Sequence, residues 1–213
     1  MSFYTAFARY YEAIFPFSGA VYAYLADFEV VGIDLDGAMI DTARQNHPDA
    51  AFYVMDMVDI EALDRRFDAV YCIGNTAAHL THDEFSRFLD ALGEVLRPEG
   101  PWILQVMNWD YVLTDYVLAQ DEVVFPVIEG EGDVSFYRTY RDISENEVTF
   151  ATRLEVEGET VFEEAVPLYP IRSDEIKALH AARGFRLIEH VGSYGGATFD
   201  HRQFSPNIFS FER

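Results

Sequence analysis

The sequence is poor in three features that would each indicate a particular class of protein. It has one cysteine, Cys72, which excludes a disulfide framework or a cysteine-based zinc site within one chain. Lys177 is the only lysine, and 37 acidic residues against 15 basic ones give a formal net charge of −22. No apolar run approaches the roughly 20 residues that a membrane-spanning helix needs. Because so acidic a surface repels nucleic-acid phosphates and anionic membrane faces, we expect neither as a partner.

What is present indicates a globular protein that acts on a small molecule. The 213 residues suffice for one domain with a sizeable core, and half of them are apolar. The first 17 residues carry Arg9 and Glu12 in an aromatic stretch without a cleavage site typical of a signal peptide, so we expect a cytoplasmic protein. We interpret the charge as an aid to solubility or an adaptation to salt, the alternative being attraction of a cationic substrate. We expect a monomer or homodimer.

Short β-branched runs alternate with helical patterns through the first half of the chain. The most amphipathic helix begins at a capping box formed by Thr81 and Glu84. Such alternation is typical of βαβ units, so we predict an α/β fold with a Rossmann-like, mainly parallel sheet and flanking helices. The predicted strands are 29–35, 51–55, 68–73 and 102–107, and the predicted helices are 38–46 and 83–96.

From about residue 120 to residue 170 the pattern changes to extended segments separated by polar turns, which predicts an inserted antiparallel β meander. Ser173 is predicted to cap a helix that ends before Gly184, and two antiparallel strands close the chain. The predicted meander strands are 123–128, 134–141, 148–156 and 161–168, and the closing strands are 185–190 and 207–211.

The N-terminus has an aromatic helical stripe formed by Phe3, Phe7, Tyr10 and Ile14, with a second helix predicted over 20–27. We therefore predict a single domain over 1–213, within which 1–28 form a helical lid and 120–170 the inserted β region.

The residues that follow the strands are the candidates for a site, because ligands of open α/β sheets bind outside the carboxyl ends of the strands. Asp34 ends the first strand, where a carboxylate can accept hydrogen bonds from both ribose hydroxyls of a nucleoside. The alternative is a helix cap or a turn. Asp56 and Met57 follow the second strand, where an acid can accept an exocyclic amine and the next N–H can reach a ring nitrogen. A plain turn is again the alternative.

Four stretches carry a resemblance to a known family, and a fifth covers the last helix and the strand after it at 173–192. The four are VVGIDLDGAMIDTAR (30–44), FYVMDMVDI (52–60), FDAVYCIGNTAAHL (67–80) and LRPEGPWILQVMNWD (96–110). In this order and spacing they resemble the class I S-adenosylmethionine (SAM)-dependent methyltransferases. The last two, with FYRTY at 136–140, resemble the small-molecule branch that includes glycine/sarcosine N-methyltransferases, in which an inserted antiparallel sheet covers the acceptor site.

The resemblance implies that SAM is the cofactor. It implies that Asp34 binds the ribose, that Leu35 packs on the adenine, and that Asp56 and Met57 contact the adenine edge. Gly74, after the third strand, completes the predicted cofactor site.

The acceptor would lie near 75–79, with Asn75 and His79 as the catalytic candidates. His79 is the candidate base, with a structural cap as the alternative role. Arg138 could hold a substrate carboxylate as a bidentate fork, with a surface salt bridge as the alternative. The predicted substrate-binding residues are Tyr11, Asn108, Tyr137, Arg138 and Tyr169.

The glycine-rich first motif of the family is absent from this sequence. That motif is a strand, a glycine-rich turn and a helix, and it should stand before Glu29. Together these elements amount to roughly 20 residues. Losing the central strand would leave the sheet incomplete, so we expect that a segment of the protein is missing from this sequence between Phe28 and Glu29. The alternative is a true deletion that leaves a non-catalytic relative.

Three functions stay open. The first is methyl transfer from SAM to a small molecule, with an amine as the expected acceptor; the second is a non-catalytic methyltransferase-like binding protein. The third is an NAD-dependent oxidoreductase, because an acid in the position of Asp34 also suits the NAD ribose. The meander and the closing strands favour the first over the third. We expect no metal site, since His79 and His82 lack a third ligand at a suitable spacing.

Overall fold

Helices and strands alternate along the described residues, 7–15 and 28–213, of this computed structural model. None of the described helices is long and apolar enough to cross a membrane. The helices are α1 (Tyr11–Ile14), α2 (Gly37–Asn46), α3 (His82–Val95), α4 (Trp109–Val112), α5 (Asp115–Gln120) and α6 (Ser173–Ala181), with 3-10 segments at Met57–Leu63 and Thr76–His79. The strands are β1 (Val31–Asp34), β2 (Ala51–Val54), β3 (Val70–Cys72), β4 (Pro101–Met107), β5 (Glu122–Val124), β6 (Ile128–Gly130), β7 (Val134–Arg141), β8 (Val148–Val156), β9 (Glu159–Leu168), β10 (Arg186–Val191) and β11 (Pro206–Glu212).

The strands form three sheets. β1 and β2 are a parallel pair, in which Val31 lies opposite Ala51 and Asp34 opposite Val54. The second sheet has the order β10-β11-β4-β3, with β3 parallel to β4 and β11 antiparallel to both β4 and β10. The third has the order β5-β7-β8-β9, with β6 antiparallel to β7. The predicted α/β class, inserted meander and antiparallel closing strands are thereby confirmed.

The chain divides into two compact units. The first unit comprises Met1–Met57, Val124–Thr139 and Ala151–Ala165, and the second comprises Val58–Val123, Tyr140–Phe150 and Val166–Arg213. The β1–β2 pair belongs to the first unit and the four-stranded sheet to the second.

The core of the first unit joins the N-terminal aromatic stripe to the inserted strands. The ring centroid of Phe7 lies 5.1 Å from that of Phe136, and Tyr10 is partly buried beside them. The stripe predicted from Phe7, Tyr10 and Ile14 is therefore an apolar face, while Phe3 and the helix predicted over 20–27 lie outside the described residues. The fully packed members of this cluster are Phe7, Ile14, Val134, Phe136 and Leu154.

In the second unit, α3 packs against the four-stranded sheet. Its capping box is as predicted: the Thr81 hydroxyl accepts the Glu84 N–H at 3.3 Å, and the Glu84 carboxylate accepts the Thr81 N–H at 2.9 Å. Phe88 contacts Trp102 of β4 with ring centroids 5.7 Å apart. Each large side chain buried in this way stabilises the fold by about 1.5–3 kcal/mol. The members with the least exposure are Phe85, Leu89, Leu92, Trp102, Leu104, Phe209 and Phe211.

Each of the two Rossmann-like sheets ends at a strand with one described partner. β1 pairs with β2, and β3 pairs with β4. Strands inside a parallel sheet are normally buried on both faces. Tyr53 of β2 and Tyr71 of β3 are instead 44% and 53% exposed.

Two details differ from the prediction. Ser173 does not cap α6, because its hydroxyl donates to the Asp110 carboxylate; Arg172 occupies the cap position without a side-chain bond. The extended segment predicted over 123–128 is two strands, β5 and β6, separated around Pro126, which has no N–H to donate to a ladder. The short helices α4 and α5 are not predicted, since four to six residues carry little periodicity.

A buried histidine in the second unit requires one neutral tautomer. Trp102 Nε1 donates to His180 Nε2 at 2.9 Å, and His180 Nδ1 lies 2.6 Å from the Ile176 carbonyl oxygen. The proton therefore resides on Nδ1, because Nε2 must accept. The ring stacks on Phe211 at 3.8 Å. Burial lowers the pKa of His180 to about 4.

This depressed pKa predicts a loss of stability in acid. Between about pH 6.5 and 4 the unfolded chain binds the proton and the folded chain does not, so the free energy of unfolding falls as the pH falls through this window. The contribution of His180 amounts to at most about 3 kcal/mol. Urea unfolding measured across this range should show a shallower pH dependence for His180→Gln than for the wild type. Equal slopes for the two proteins would contradict the assignment.

Candidate active site

The carboxyl ends of β1 and β2 bring the predicted nucleoside-binding residues to one edge of the first unit. The Met55 N–H donates to the Asp34 carbonyl at 2.9 Å, which ties the two strand ends together. Leu35 follows β1 and is 68% exposed. Asp56 and Met57 follow β2, and Met57 begins a 3-10 segment. Two acids and an exposed apolar side chain thus share this edge, an arrangement suited to a ribose and an adenine.

Of the two acids at the end of β1, Asp36 is the helix cap and Asp34 is the candidate ligand of the ribose. The carboxylate of Asp36 accepts the N–H groups of Ala38 at 2.8 Å and Met39 at 3.2 Å, so Asp36 is the N-cap of α2. Asp34 accepts one turn bond, from the Asp36 N–H at 2.8 Å. Burial raises the pKa of Asp34, the Asp36 N–H opposes that rise, and the Asp36 charge adds to it. Asp34 is therefore not needed as the cap of the helix.

Two polar side chains of helix α1, Glu12 and Tyr11, interact with other residues of the first unit. Glu12 accepts a hydrogen bond from the Asn46 side chain at the end of α2. Tyr11 is 38% exposed. Burial, and next the negative charge of Asp34, raise the pKa of Tyr11, so its hydroxyl stays protonated. The predicted substrate residue Tyr11 therefore lies within the electrostatic influence of the predicted ribose ligand.

The two residues predicted from the FYRTY stretch lie on β7 with partners in the inserted sheet. The Tyr137 hydroxyl donates to Glu155 at 3.1 Å, and the Arg153 guanidinium lies 4.3 Å from the Tyr137 ring centroid. Arg138 donates to the Pro126 carbonyl at 2.9 Å and lies over the Phe125 ring. The proposed fork of Arg138 on a substrate carboxylate stays a prediction.

In the second unit, the turn after β3 is held in an unusual conformation by side chains from other segments. Gly74 and Asn75 both have positive φ, +73° and +65°, which is uncommon for a residue other than glycine. The Gly74 N–H donates to Gln105 Oε1 at 2.6 Å. Asn75 Oδ1 accepts the Met107 N–H at 2.9 Å, and its Nδ2 donates to the Tyr140 hydroxyl at 3.3 Å. The amide of Asn75, predicted to be catalytic, is therefore engaged at both ends and fixes the turn.

Gln105 and Tyr140 are contributors that the sequence does not single out. Gln105 is a polar residue in an otherwise apolar strand, a signal that could have identified it. Tyr140 lies in the quoted FYRTY stretch, but its contact with Asn75 spans 65 positions of sequence. Its ring stacks on that of Trp109 with centroids 5.4 Å apart, which fixes the hydroxyl.

His79 ends the 3-10 segment that follows this turn. Burial lowers the pKa of His79, so its imidazole is neutral at pH 7 and able to accept a proton. The Tyr169 N–H donates to the Ala78 carbonyl at 2.7 Å, which places Tyr169 beside the segment. The backbones of His79 and Tyr169 are therefore close together, and the roles of both side chains in acceptor binding stay predictions.

Asn108, predicted to contact the substrate, holds neighbouring backbone segments together, and its contact with substrate stays a prediction. It is fully buried, and its Nδ2 donates to the carbonyls of Asp200 at 3.0 Å and Gln203 at 2.9 Å. Its Oδ1 accepts the Tyr111 N–H at 3.3 Å, which caps α4. Both N–H groups of the Asn108 amide are thus used within the protein.

Within 7–15 and 28–213, no group of three or more His, Cys, Asp or Glu side chains is arranged to hold a metal ion.

The contacts of Asn75 predict a measurable loss of stability. Asn75→Ala removes the acceptor of the Met107 N–H and leaves a Cβ-bearing residue at positive φ, so we expect the free energy of unfolding to fall by about 1–3 kcal/mol. Asn75→Gly relieves the backbone strain and should recover part of that loss. Urea unfolding measures both variants; an Asn75→Ala variant as stable as the wild type would contradict this role.

The fold is Rossmann-like, with parallel strands and helices beside them. The acids at the strand ends are suited to binding a nucleoside. Comparison with known proteins identifies the class further. Residues 18–100 match the family described as a methyltransferase domain. A glycine/sarcosine N-methyltransferase from Halorhodospira halochloris is 26% identical over 198 residues, which cover 86% of this chain and 66% of the relative. The chain thus spans slightly less than two thirds of the length of that relative.

Solved structures agree in fold. A SAM-dependent methyltransferase from Clostridium acetobutylicum has a TM-score of 0.74 at 13% identity, covering 91% of this chain and 79% of that one. A SAM-bound amino pentose methyltransferase from Micromonospora echinaspora, involved in calicheamicin biosynthesis, has a TM-score of 0.66 at 21% identity, covering 91% and 78%. The predicted fold is confirmed: the chain has the fold of the SAM-dependent methyltransferases that it resembles, and residues 18–100 match a methyltransferase domain.

Proposed function

We propose that the protein transfers a methyl group from SAM to a small-molecule acceptor, and that the acceptor is an amine. The observation that carries the proposal is the shared edge of Asp34 and Asp56, within the residues that match a methyltransferase domain. Two relatives support the amine. One is a glycine/sarcosine N-methyltransferase and the other an amino pentose methyltransferase.

The first unit would hold the nucleoside of SAM. Asp34 accepts hydrogen bonds from the ribose hydroxyls, and its partly buried position strengthens such bonds. Leu35 offers an exposed apolar side chain for the adenine face. Asp56 and the Met57 N–H contact the adenine edge. Gly74 belongs to the second unit, and its cofactor contact stays a prediction.

The reaction needs little from the protein beyond alignment of the methyl donor with the acceptor. SAM supplies a methyl group on a sulfonium, already an excellent leaving group. The amine lone pair forms the new C–N bond as the S–C bond breaks, and one proton leaves the nitrogen. Proximity and exclusion of water supply most of the acceleration. His79, neutral because of its burial, accepts that proton, while Asn75 holds the turn from which His79 follows.

Other residues and segments of the chain are proposed to bind the acceptor and to cover the reactants. Tyr137, Tyr169 and Arg138 contribute to acceptor binding, with Arg138 suited to an acceptor that carries a carboxylate. Residues 1–28, of which 7–15 and 28 are described, act as a lid on a single domain whose 120–170 region covers the acceptor. The strongly acidic protein acts in the cytoplasm as a monomer or homodimer, without nucleic acid or a membrane as partner.

A non-catalytic methyltransferase-like binding protein is the second candidate. It is favoured by the absence of a glycine-rich run before Glu29, since such a turn normally lets the backbone approach the cofactor. The two candidates differ in one outcome. A catalytic protein transfers tritium from methyl-labelled SAM to glycine, sarcosine or an amino sugar, whereas a binding protein retains SAM without transfer.

The ribose contact predicts a selective loss of affinity. Asp34→Ala removes up to two charge-assisted hydrogen bonds, so we expect SAM binding to weaken by about 10- to 100-fold. Calorimetric titration measures the change, and Asp41→Asn, at an exposed position on α2, is the matched control with unchanged affinity. Equal affinity for wild type and Asp34→Ala would exclude Asp34 as the ribose ligand.

The proposed base predicts a rate loss with a particular pH dependence. His79→Gln should slow methyl transfer by about 10²- to 10⁴-fold while SAM affinity stays unchanged. Because burial lowers the pKa of His79, the imidazole stays neutral through the ordinary histidine range, so protonation of His79 should not limit the wild-type rate there. Tritium transfer measured against pH tests both points. A His79→Gln variant with wild-type rates would assign His79 to a structural role.

A further inference from the structure

Gly130, the last residue of β6, faces the backbone of α1. A Cβ added at Gly130 would lie 2.4 Å from the Ala13 carbonyl oxygen, 2.9 Å from its carbonyl carbon and 3.4 Å from the Ile14 nitrogen. Side-chain rotation cannot relieve this contact, since the opposing atoms are backbone. Any other residue at position 130 must therefore push α1 away from the strand.

The close approach belongs to a wider contact within the first unit. The Glu131 N–H donates to the same Ala13 carbonyl at 3.2 Å. Phe7 and Ile14 are also buried in the aromatic cluster with Phe136, against which Ile128 of β6 packs. A backbone hydrogen bond and an apolar cluster thus fix α1 to the inserted strands, and the missing side chain of Gly130 permits both.

Two side chains of α1 connect this contact to the cofactor edge. Glu12 bonds the side chain of Asn46 at the end of α2, the helix that follows Asp34. Tyr11, next to Glu12, lies near enough to Asp34 for the carboxylate to raise the pKa of the tyrosine hydroxyl. A displacement of α1 would therefore alter the surroundings of Asp34 without touching Asp34 itself.

We propose that Gly130 is a positioning residue for the SAM site: its lack of a side chain lets α1 pack on β6 and so holds Tyr11 near Asp34. The inference rests on the proposed role of Asp34 in binding SAM. It gives the inserted β region a second task, since this region then sets cofactor affinity in addition to covering the acceptor.

The test is a double-mutant cycle read out as SAM affinity. Gly130→Ala should weaken SAM binding by about 10-fold, and Tyr11→Phe should weaken it as well. The combined variant should be no weaker than the worse single variant, because Gly130 acts through Tyr11. Gly195→Ala is the matched control. Its added Cβ would meet only the Ser193 hydroxyl, at 3.7 Å, and SAM affinity should stay at the wild-type value.

The outcomes separate this inference from the proposed function. Wild-type affinity in Gly130→Ala overturns the inference alone, and so do fully additive losses, which would mean that Gly130 acts through general stability. Failure of the wild-type chain to bind SAM overturns the proposed function and the inference together.

A measurement on the wild-type chain keeps the inference testable if Gly130→Ala does not fold. Hydrogen exchange should show that SAM protects the 7–15 and 128–131 segments together with the 31–57 region. Protection of 31–57 alone would overturn the role of Gly130.

Discussion

The parallel pairing of β1 with β2 is the constraint on which the proposed cofactor site depends. Its register sets Asp34 opposite Val54 and brings Asp56 to the same edge. A slip of one residue would turn every side chain of the strand to the other face. The N-cap at Asp36 matters for the same reason, because it satisfies the first N–H groups of α2 and leaves Asp34 for another partner.

Each unit fixes its part of the proposed chemistry with contacts from distant segments of the chain. In the second unit, Gln105 and Tyr140 hold a turn with two left-handed residues, and His79 follows that turn. In the first unit, α1 packs closely against β6 at Gly130, which has no side chain. These contacts within the protein thus set the positions of the side chains proposed to act in the reaction, which alignment of the reactants requires.

Local signals in the sequence predict the elements but not the roles of the polar side chains. Alternating apolar residues and polar turns give β7 and β8 their observed bounds, and Thr81 with Glu84 marks the start of α3. Asp36, which caps α2, lies only two residues after Asp34, and the sequence pattern alone does not show which of the two acids is the cap. The role of Asn108 depends on carbonyls more than 90 positions away, and no local pattern encodes such partners. The absent glycine-rich motif, by contrast, is visible only in the sequence.

A crystal structure of the chain with S-adenosylhomocysteine tests the central claim most directly. The account predicts that both ribose hydroxyls lie within hydrogen-bond distance of the Asp34 carboxylate, with the adenine ring between Leu35 and the backbone of Met57. A nucleoside bound away from the carboxyl ends of β1 and β2, with Asp34 still in its turn contact alone, would contradict it.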